Sequence, residues 1–319
     1  MAVYTVVEQG DLETFLRGYG LGAYRGHEGI LQGVSNSNYH LFTDQGRFVL
    51  TLFEEKWGVL DNLPFYFSFT GHLAQSGIPC PRALPDLQGK IIGTLCGKKA
   101  VLVSYLEGRT VGAGDIEPGH CRAMGAMLAR MHLAAQDFSL VQENNEDIQC
   151  WKKLAGETAA DADRVEKGLA GCIADELAFL EKHWPDDVPQ AVVHTDIFPD
   201  NILFYEEHIS AVLDFYFSCR AMLAYDLAIV INAWCFDGDG IFCRDRFSVL
   251  LNAYEALRPL QESERRAMPV LLRGACIRFL MTRLHDWIFH DPESLVSLHD
   301  PREYLEKLRF HRKENIFDC

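Results

Sequence analysis

Residues 194–201 read His-Thr-Asp-Ile-Phe-Pro-Asp-Asn, and an Asp-Phe pair follows at residues 214–215. Short apolar runs precede and follow this stretch, as expected for a loop between two β-strands. Two carboxylates and one carboxamide at this spacing can perform a specific task, because together they can orient a hydroxyl group and hold Mg²⁺ beneath a triphosphate. The stretch therefore predicts a phosphoryl-transfer site.

The segment between Asn201 and Asp214 predicts a β-hairpin. Two apolar runs, 202–204 and 209–213, enclose four polar residues. Folding the segment about its polar centre brings Asn201 to within one or two residues of the position opposite Asp214. Amide and carboxylate oxygens are ligands that a hard divalent cation prefers, so both residues are predicted magnesium ligands. Asp196 precedes the hairpin and is the candidate to orient the attacking hydroxyl.

Composition excludes several classes of protein. The 319 residues are 48% hydrophobic, which is enough for large buried cores, and the net charge of −15 argues against a nucleic-acid partner. The ten cysteines have no C-x-x-C pair or metal-ligand spacing, which is typical of a reduced protein. No secretory leader and no membrane-spanning run is apparent, so a cytoplasmic enzyme is expected.

The periodicity of the sequence changes near residue 107. We predict an N-terminal lobe at 1–106 and a helical C-terminal lobe at 107–319. The predicted strands before the change lie within 31–41, 47–53, 90–93 and 100–103, with one helix at 63–75. The predicted helices after it are 120–135, 154–182, 225–235, 246–257 and 262–287, and the catalytic segment at 191–215 is the only predicted interruption by strands.

The motif and this order of elements resemble the protein-kinase-like phosphotransferases, most closely the aminoglycoside phosphotransferase and choline kinase family. The resemblance covers nearly the whole chain and implies an α+β, bilobal fold with an antiparallel β N-lobe and a mainly α-helical C-lobe. It also implies ATP and Mg²⁺ as cofactors. Asp196 would be the catalytic residue, and His194 and Asp226 would support the loop. The alternative for Asp226 is a helix N-cap.

The resemblance also implies where the nucleotide binds. A loop of small polar residues would cover the phosphates, and the backbone of the interlobe linker would bind adenine. The loop candidates are Gly33, Ser35, Asn36, Ser37 and Asn38, and the linker candidates are Ser104 and Leu106. Their alternative interpretations are an ordinary hairpin turn and a plain linker.

One position departs from the usual kinase pattern. Thr51 lies on the strand where these kinases carry a lysine, and the next predicted helix, 63–75, has no glutamate to pair with one. Lys56 and Arg47 flank the strand, and either is a candidate to reach the phosphates. The kinase ion pair is therefore not carried over to this chain.

The acceptor is indicated by the C-terminal lobe. Arg278 and Arg283 suit a carboxylate, whereas Trp234 and Asp286 suit an ammonium group. For each arginine, a structural ion pair is the alternative. Several segments, including both chain ends, are similar to the bacterial homoserine kinases of this family, and Thr51 is a feature shared with them. This resemblance implies transfer of phosphate from ATP to L-homoserine, on the route to threonine. The alternatives are a kinase for choline, ethanolamine or an aminoglycoside, and a nucleotide-binding pseudokinase.

Overall fold

The computed structural model describes residues 4–30, 36–54, 59–290 and 298–318. The chain divides into two compact units. The first contains Met1–Glu107 together with Ala211–Tyr216, and the second contains Gly108–Ser210 together with Phe217–Cys319. The first unit therefore includes a short segment from far along the chain.

The first unit is built on a five-stranded antiparallel sheet with the strand order β1-β2-β3-β5-β4. The strands are β1 (Tyr24–Gly29), β2 (Ser37–Thr43), β3 (Gly46–Phe53), β4 (Gly93–Leu95) and β5 (Lys98–Ser104). Thr43 pairs with Gly46 across the predicted turn, and Gly46 has a φ of 134°. The left-handed φ region favours glycine, which explains why the turn ends at this residue.

Two helices accompany this sheet, α1 (Gln9–Leu16) and α2 (Val59–Gln75). On one face, Leu12 and Leu16 of α1 join a buried cluster with alternating residues of the strands, including Leu41 and Leu50. This alternation is the period of two expected for a strand with one face in a core.

The segment Ala211–Tyr216 contributes aromatic rings to the same unit. The Tyr216 ring lies edge-on to Phe53 at 5.4 Å and to Tyr66 at 5.8 Å, measured between ring centroids. The Phe215 ring lies edge-on to Phe69 at 6.0 Å. Edge-to-face packing of buried rings stabilises such a core beyond the burial of area alone.

The second unit is mainly helical and contains two small two-stranded sheets, β6-β9 and β7-β8. Its elements are α3 (Pro118–Ala135), α4 (Ile148–Val165), α5 (Leu169–His183), β6 (Gln190–Val193), β7 (Ile202–Tyr205), β8 (His208–Val212, of which Ala211 and Val212 belong to the first unit), β9 (Cys219–Met222), α6 (Leu223–Trp234), α7 (Arg244–Glu255), α8 (Glu262–Ile288) and α9 (Arg302–Lys313). Helix α6 is buried on nearly every face, as expected for an apolar helix at the centre of a bundle. No described helix is both long and apolar enough to span a bilayer.

Several predicted elements differ from the structure. The helix predicted at 154–182 is two helices, because Gly168 adopts a φ of 84° and ends the run between α4 and α5. The strand predicted at 90–93 is instead β4, which begins at Gly93. The elements α1, β1, β9 and α9 were not predicted. The hairpin β7-β8 was predicted. Its turn at Glu206–Glu207 includes Glu206 in the left-handed conformation, with a φ of 54°.

Gly125 sets the distance between α3 and α7. A Cβ at this position would lie 2.1 Å from the backbone oxygen of Leu250, which cannot move without moving its helix. We expect Gly125→Ala to lower the free energy of unfolding by about 3 kcal/mol, because the two helices would be forced apart. Urea denaturation would measure the change. Gly156→Ala in α4 is the control, since nothing lies near its Cβ and it should stabilise by about 0.8 kcal/mol. Equal effects of the two substitutions would contradict the prediction.

His311 makes the stability of the second unit dependent on pH. Asn232 donates its amide nitrogen to the carbonyl oxygen of Leu272, so its amide oxygen accepts from Nε2 of His311 at 2.8 Å. Nδ1 of His311 is buried without a hydrogen-bond partner, which suits the neutral ring. Burial, with the charges of Lys307 and Arg273, lowers the pKa of His311 to about 3.

The unfolded chain therefore binds a proton at His311 between pH 6.5 and about 3, whereas the folded chain does not. The free energy of unfolding should fall as the pH drops through this range, by an amount on the order of several kcal/mol at the acid end. We expect His311→Gln to lose less stability than the wild type between pH 7 and pH 4.5 in urea denaturation. Parallel losses in the two proteins would show that His311 is not the group responsible.

Candidate active site

The loop that carries the predicted catalytic residues begins where β6 ends. Val193 pairs with Cys219 of β9, and His194 follows as the first residue of the loop. A single turn of 3₁₀ helix, Pro199–Asn201, leads from the loop into β7. Both ends of the loop are thus fixed by strands, which is a more precise support for a functional side chain than a free loop.

Thr195 holds the loop in a strained conformation. Its φ is 62°, which is rare for a β-branched residue and costs of order 1–3 kcal/mol. Three hydrogen bonds offset this cost. Its N–H donates to Oδ1 of Asp226 at 2.8 Å, its hydroxyl donates to the carbonyl of Phe217 at 2.9 Å, and its carbonyl accepts from Arg278 at 2.7 Å.

Asp226 supports the loop from within the core. The side chain is fully buried, and it accepts from the backbone amides of His194 at 3.3 Å and Thr195 at 2.8 Å. Burial alone would raise the pKa of Asp226, but the hydrogen bond from His132 and the contacts with the loop lower it below its ordinary value. The alternative assignment as an N-cap is wrong, because α6 begins at Leu223 and Asp226 lies within its first turn.

A chain of buried hydrogen bonds continues behind Asp226. Arg258 forms an ion pair with Glu264 at 2.8 Å and donates to the hydroxyl of Tyr254 at 2.8 Å. That hydroxyl lies 2.8 Å from Nδ1 of His132, whose Nε2 lies 3.1 Å from the Asp226 carboxylate. A hydrogen bond from the Tyr254 hydroxyl to Nδ1 and one from Nε2 to the Asp226 carboxylate satisfy every contact. These four supporting residues were missed in the sequence, where 94 residues separate His132 from Asp226.

The side chains of Asp196 and Asn201 are fixed relative to each other. Nδ2 of Asn201 donates to the backbone oxygen of Asp196 at 2.8 Å and to its Oδ2 at 3.2 Å. The N–H of Asp196 donates to Nδ1 of His194 at 3.2 Å. Because the amide nitrogen of Asn201 is engaged, its oxygen is the atom left to bind a cation.

Two residues predicted to bind the acceptor also contact the loop. Trp234 is fully buried, and its Nε1 donates to the carbonyl of Ile197 at 3.0 Å. Arg278 is 3% exposed and donates to the carbonyl of Thr195, as described above. The loop carbonyls on either side of Asp196 are thus both held by buried donors.

The other two predicted acceptor residues lie further along α8. Arg283 pairs with Glu303 of α9 at 2.6 Å and keeps 12% of its side chain exposed. The side chain of Asp286 is 58% exposed and lies 3.8 Å from Nδ1 of His285. Arg283 therefore has the more enclosed position of the two.

The predicted phosphate-covering loop is only partly within the described residues. Gly33 and Ser35 lie outside them, whereas Asn36, Ser37 and Asn38 are described. The Ser37 hydroxyl is fully buried, accepts from the amides of Tyr4 and Thr5, and donates to Glu54 at 2.8 Å. This side chain therefore fastens the N-terminal segment to β2.

The side chain of Thr51, which lies at the position of the kinase lysine, is hydrogen-bonded to its neighbours. Its hydroxyl donates to Oδ1 of Asn38 at 2.7 Å. Burial, followed by the charge of Asp214, raises the pKa of Tyr216, and a hydrogen bond with Thr51 opposes this shift. Of the two flanking cations, Lys56 lies outside the described residues, and the Arg47 guanidinium lies 3.9 Å from the Tyr105 ring centroid.

The predicted adenine linker borders a cavity of the first unit. The cavity has a volume of about 380 Å³, and Pro79, Cys80, Arg82, Ser104 and Leu106 are among its lining residues. The N–H and hydroxyl of Ser104 are both engaged by the backbone of Arg82. These contacts fix the end of β5, where the linker begins.

The predicted metal ligands fit Mg²⁺ by their chemistry. Asn201 offers an amide oxygen and Asp214 a carboxylate, and Asp214 has a φ of 60°, which is a constrained backbone conformation for a residue other than glycine. Within the described part of the chain, no cluster of three or more His, Cys, Asp or Glu residues is placed to hold a metal. Mg²⁺ commonly takes one or two protein oxygens and completes its shell with phosphate and water, so a two-residue set suits it.

Comparison of the sequence with known proteins identifies the family of this chain. A model of a phosphotransferase enzyme family matches residues 26–260, and the chain belongs to this family. A homoserine kinase from Methylobacterium radiotolerans is 46% identical over 313 residues, which cover 98% of this chain and 97% of that protein. The predicted family resemblance is thereby confirmed.

Solved structures support the same fold. A choline kinase from Cryptosporidium parvum matches with a TM-score of 0.70 at 10% identity, covering 96% of this chain and 95% of that one. An amicoumacin kinase in complex with AMP-PNP, Ca²⁺ and Ami matches with a TM-score of 0.67 at 16% identity, covering 96% and 92%. These likenesses confirm the predicted α+β fold with an antiparallel N-lobe and a helical C-lobe.

Proposed function

We propose that this protein is an ATP-dependent homoserine kinase, which transfers the γ-phosphate of ATP to the hydroxyl of L-homoserine and yields O-phospho-L-homoserine. The observation that carries the proposal is the 46% identity to a homoserine kinase across 98% of the chain. The use of ATP is supported by the fold shared with a kinase solved with AMP-PNP. In this assignment residues 1–106 bind the nucleotide and residues 107–319 carry the catalytic loop and acceptor site.

The proposed reaction is a direct in-line transfer in which Asp196 orients the acceptor hydroxyl and accepts its proton. A bond forms between the homoserine oxygen and the γ-phosphorus, and the bond from that phosphorus to the β-phosphate oxygen breaks. Asn201 holds the Asp196 carboxylate at 3.2 Å, which limits its rotation. No covalent phosphoenzyme is needed, since positioning supplies most of the rate enhancement in phosphoryl transfer.

Asn201 and Asp214 are the residues proposed to hold Mg²⁺. When bound, this ion neutralises charge on the β- and γ-phosphate oxygens. Backbone amides of the 33–38 loop are proposed to contact the phosphates, and the linker at Ser104 and Leu106 is proposed to contact adenine. Because the Ser37 hydroxyl is engaged within the first unit, its contribution would come through the position of the loop.

Trp234 and Arg278 are proposed to act on the loop and not on the acceptor. Both are buried, and each donates to a carbonyl beside Asp196. The three contacts that hold Thr195 have the same effect. The strained backbone thereby presents Asp196 in one orientation, which is the preorganisation that a catalytic residue needs.

The test is release of ADP with Mg-ATP and a panel of acceptors: L-homoserine, L-serine, choline, ethanolamine and an aminoglycoside. Preference for L-homoserine supports the proposal. Turnover of only the amines would retain the kinase and replace the acceptor. Absence of turnover with every member, in a protein that still binds ATP, would overturn the kinase assignment in favour of a pseudokinase.

Asp214→Ala is expected to remove the magnesium dependence of nucleotide binding. Wild-type protein should bind ATP at least about 10-fold more tightly with Mg²⁺ than with EDTA, because the metal links the carboxylate to the phosphates. Calorimetric titration in the two buffers measures the difference directly. A variant that retains the wild-type ratio would show that Asp214 is not a metal ligand.

A further inference from the structure

Three charged side chains form a compact cluster between α8 and α9. Glu303 accepts from Arg283 at 2.6 Å through one carboxylate oxygen and from Lys307 at 2.6 Å through the other. The side chain of Lys307 is 5% exposed and that of Arg283 is 12% exposed. Two nearly buried cations therefore share one carboxylate.

The neighbouring ion pair does not balance this charge. Arg302 and Asp300 lie close by but bind each other, through two guanidinium nitrogens and both carboxylate oxygens. Among these described residues, three cations face two carboxylates, so one positive charge is left over. Burial would raise the pKa of Glu303, but Lys307 and Arg283 lower it to about 2. Glu303 is therefore counted as a charged carboxylate.

The carboxylate that the two cations share is itself 44% exposed, so the cluster borders solvent and a further anion can approach it. Arg283 is the cation able to bind such an anion. Its guanidinium has five N–H donors, and its ion pair with Glu303 uses one nitrogen. Of the two cations it also has the more exposed side chain.

The cluster lies beside the catalytic loop. The ring of Tyr304 is 4.6 Å from the Arg283 guanidinium and 4.5 Å from the Lys307 ammonium. The same ring packs at 6.4 Å from that of Phe198, two residues beyond Asp196. Burial raises the pKa of the Tyr304 phenol most, and the Asp196 charge adds to this, so Asp196 is within electrostatic reach.

We propose that Arg283 binds the carboxylate of the acceptor amino acid, with Glu303 and Lys307 holding the guanidinium in place. The proposal rests on the proposed function, because only an acceptor that carries a carboxylate beside its hydroxyl would use this charge. In homoserine three carbon atoms separate the hydroxyl from the carboxylate, so the group that binds one must lie near the group that orients the other. A planar guanidinium binds a carboxylate through two parallel hydrogen bonds.

The experiment compares L-homoserine with 3-amino-1-propanol, which has the same hydroxyl and amine but no carboxylate. Wild-type protein should favour L-homoserine in kcat/KM by roughly 100-fold or more, the size of a charge-assisted bidentate contact. Arg283→Met should raise the KM for L-homoserine by roughly 100-fold, leave the KM for ATP unchanged, and act on 3-amino-1-propanol as the wild type does. Arg302→Met is the matched control, since it removes an exposed arginine of the same region, and should change neither acceptor.

Arg283→Lys should raise the KM for L-homoserine by about 10-fold, because lysine keeps the charge but loses the second hydrogen bond. This variant carries the comparison if Arg283→Met does not fold. An unchanged KM for L-homoserine, or an equal loss with both acceptors, would overturn the assignment of Arg283 while leaving the kinase intact. Failure of the wild type to use L-homoserine would instead overturn the proposed function.

Discussion

Asp196→Ala is expected to lower kcat for the acceptor by about 10³-fold or more, because the hydroxyl loses the group that orients it and takes its proton. Binding of ATP should be almost unchanged, since Asp196 is assigned to the acceptor and not to the nucleotide. Steady-state kinetics and calorimetric titration with ATP measure the two effects separately. The loop backbone should keep its conformation in this variant, because Asp226, Arg278 and Trp234 all hold it.

Asp200→Ala is the control for this experiment. Asp200 is an exposed carboxylate of the same motif, and its removal tests whether negative charge on the loop is sufficient. It should retain near wild-type kcat. Near-normal turnover by Asp196→Ala, or equal losses in the two variants, would remove Asp196 from the catalytic role.

Asp226→Ala is expected to lower the free energy of unfolding by about 3–5 kcal/mol, which is typical for removing one partner of a buried charged network. The amides of His194 and Thr195 would lose their acceptor, and so would Nε2 of His132. Buried donors left without acceptors account for most of the cost. Denaturation in urea gives the stability, and kcat should fall as well because Thr195 loses one of the three hydrogen bonds that hold its left-handed conformation.

Asp226→Asn separates charge from shape. The amide keeps one oxygen acceptor but presents an NH₂ group to one of the three donors, so an intermediate loss is expected. Tyr254→Phe tests the far end of the network, where it should cost less, since it removes one hydroxyl and leaves the Asp226 contacts in place. If Asp226→Ala unfolds at the wild-type urea concentration, the buried network does not support the loop.

The central motif could be predicted from the sequence because its residues are close together along the chain. His194, Asp196 and Asn201 fall within eight positions, and the polar break at Glu206–Glu207 lies between two apolar runs. Periodicity also predicted an antiparallel β-lobe followed by a helical lobe, and this fold class is confirmed. A single sequence is sufficient to predict such local elements, because each pattern depends on neighbours only a few residues away.

The hydrogen-bond network that supports the loop could not be predicted, because its residues are far apart along the chain. His132 and Tyr254 are 122 residues apart, and nothing near either one indicates a shared hydrogen bond. Helix α9 was not predicted from the sequence, although its apolar residues share one face and Tyr304 and Leu308 are fully buried. Arg278 and Trp234 were predicted to face the acceptor, and only the fold places their donors at the loop carbonyls.

The composition of the first unit has a consequence for how the chain is made. Phe215 and Tyr216 pack on Phe69, Phe53 and Tyr66 within that unit, although they follow Glu107 by more than a hundred residues. At roughly 5–20 residues per second, a ribosome needs on the order of 5–20 s to synthesise the intervening segment. The aromatic core of the N-terminal unit therefore stays incomplete until the first segment of the helical unit, Gly108–Ser210, has been translated, and a nascent chain stopped at Glu107 would expose Phe53, Tyr66 and Phe69 to chaperones.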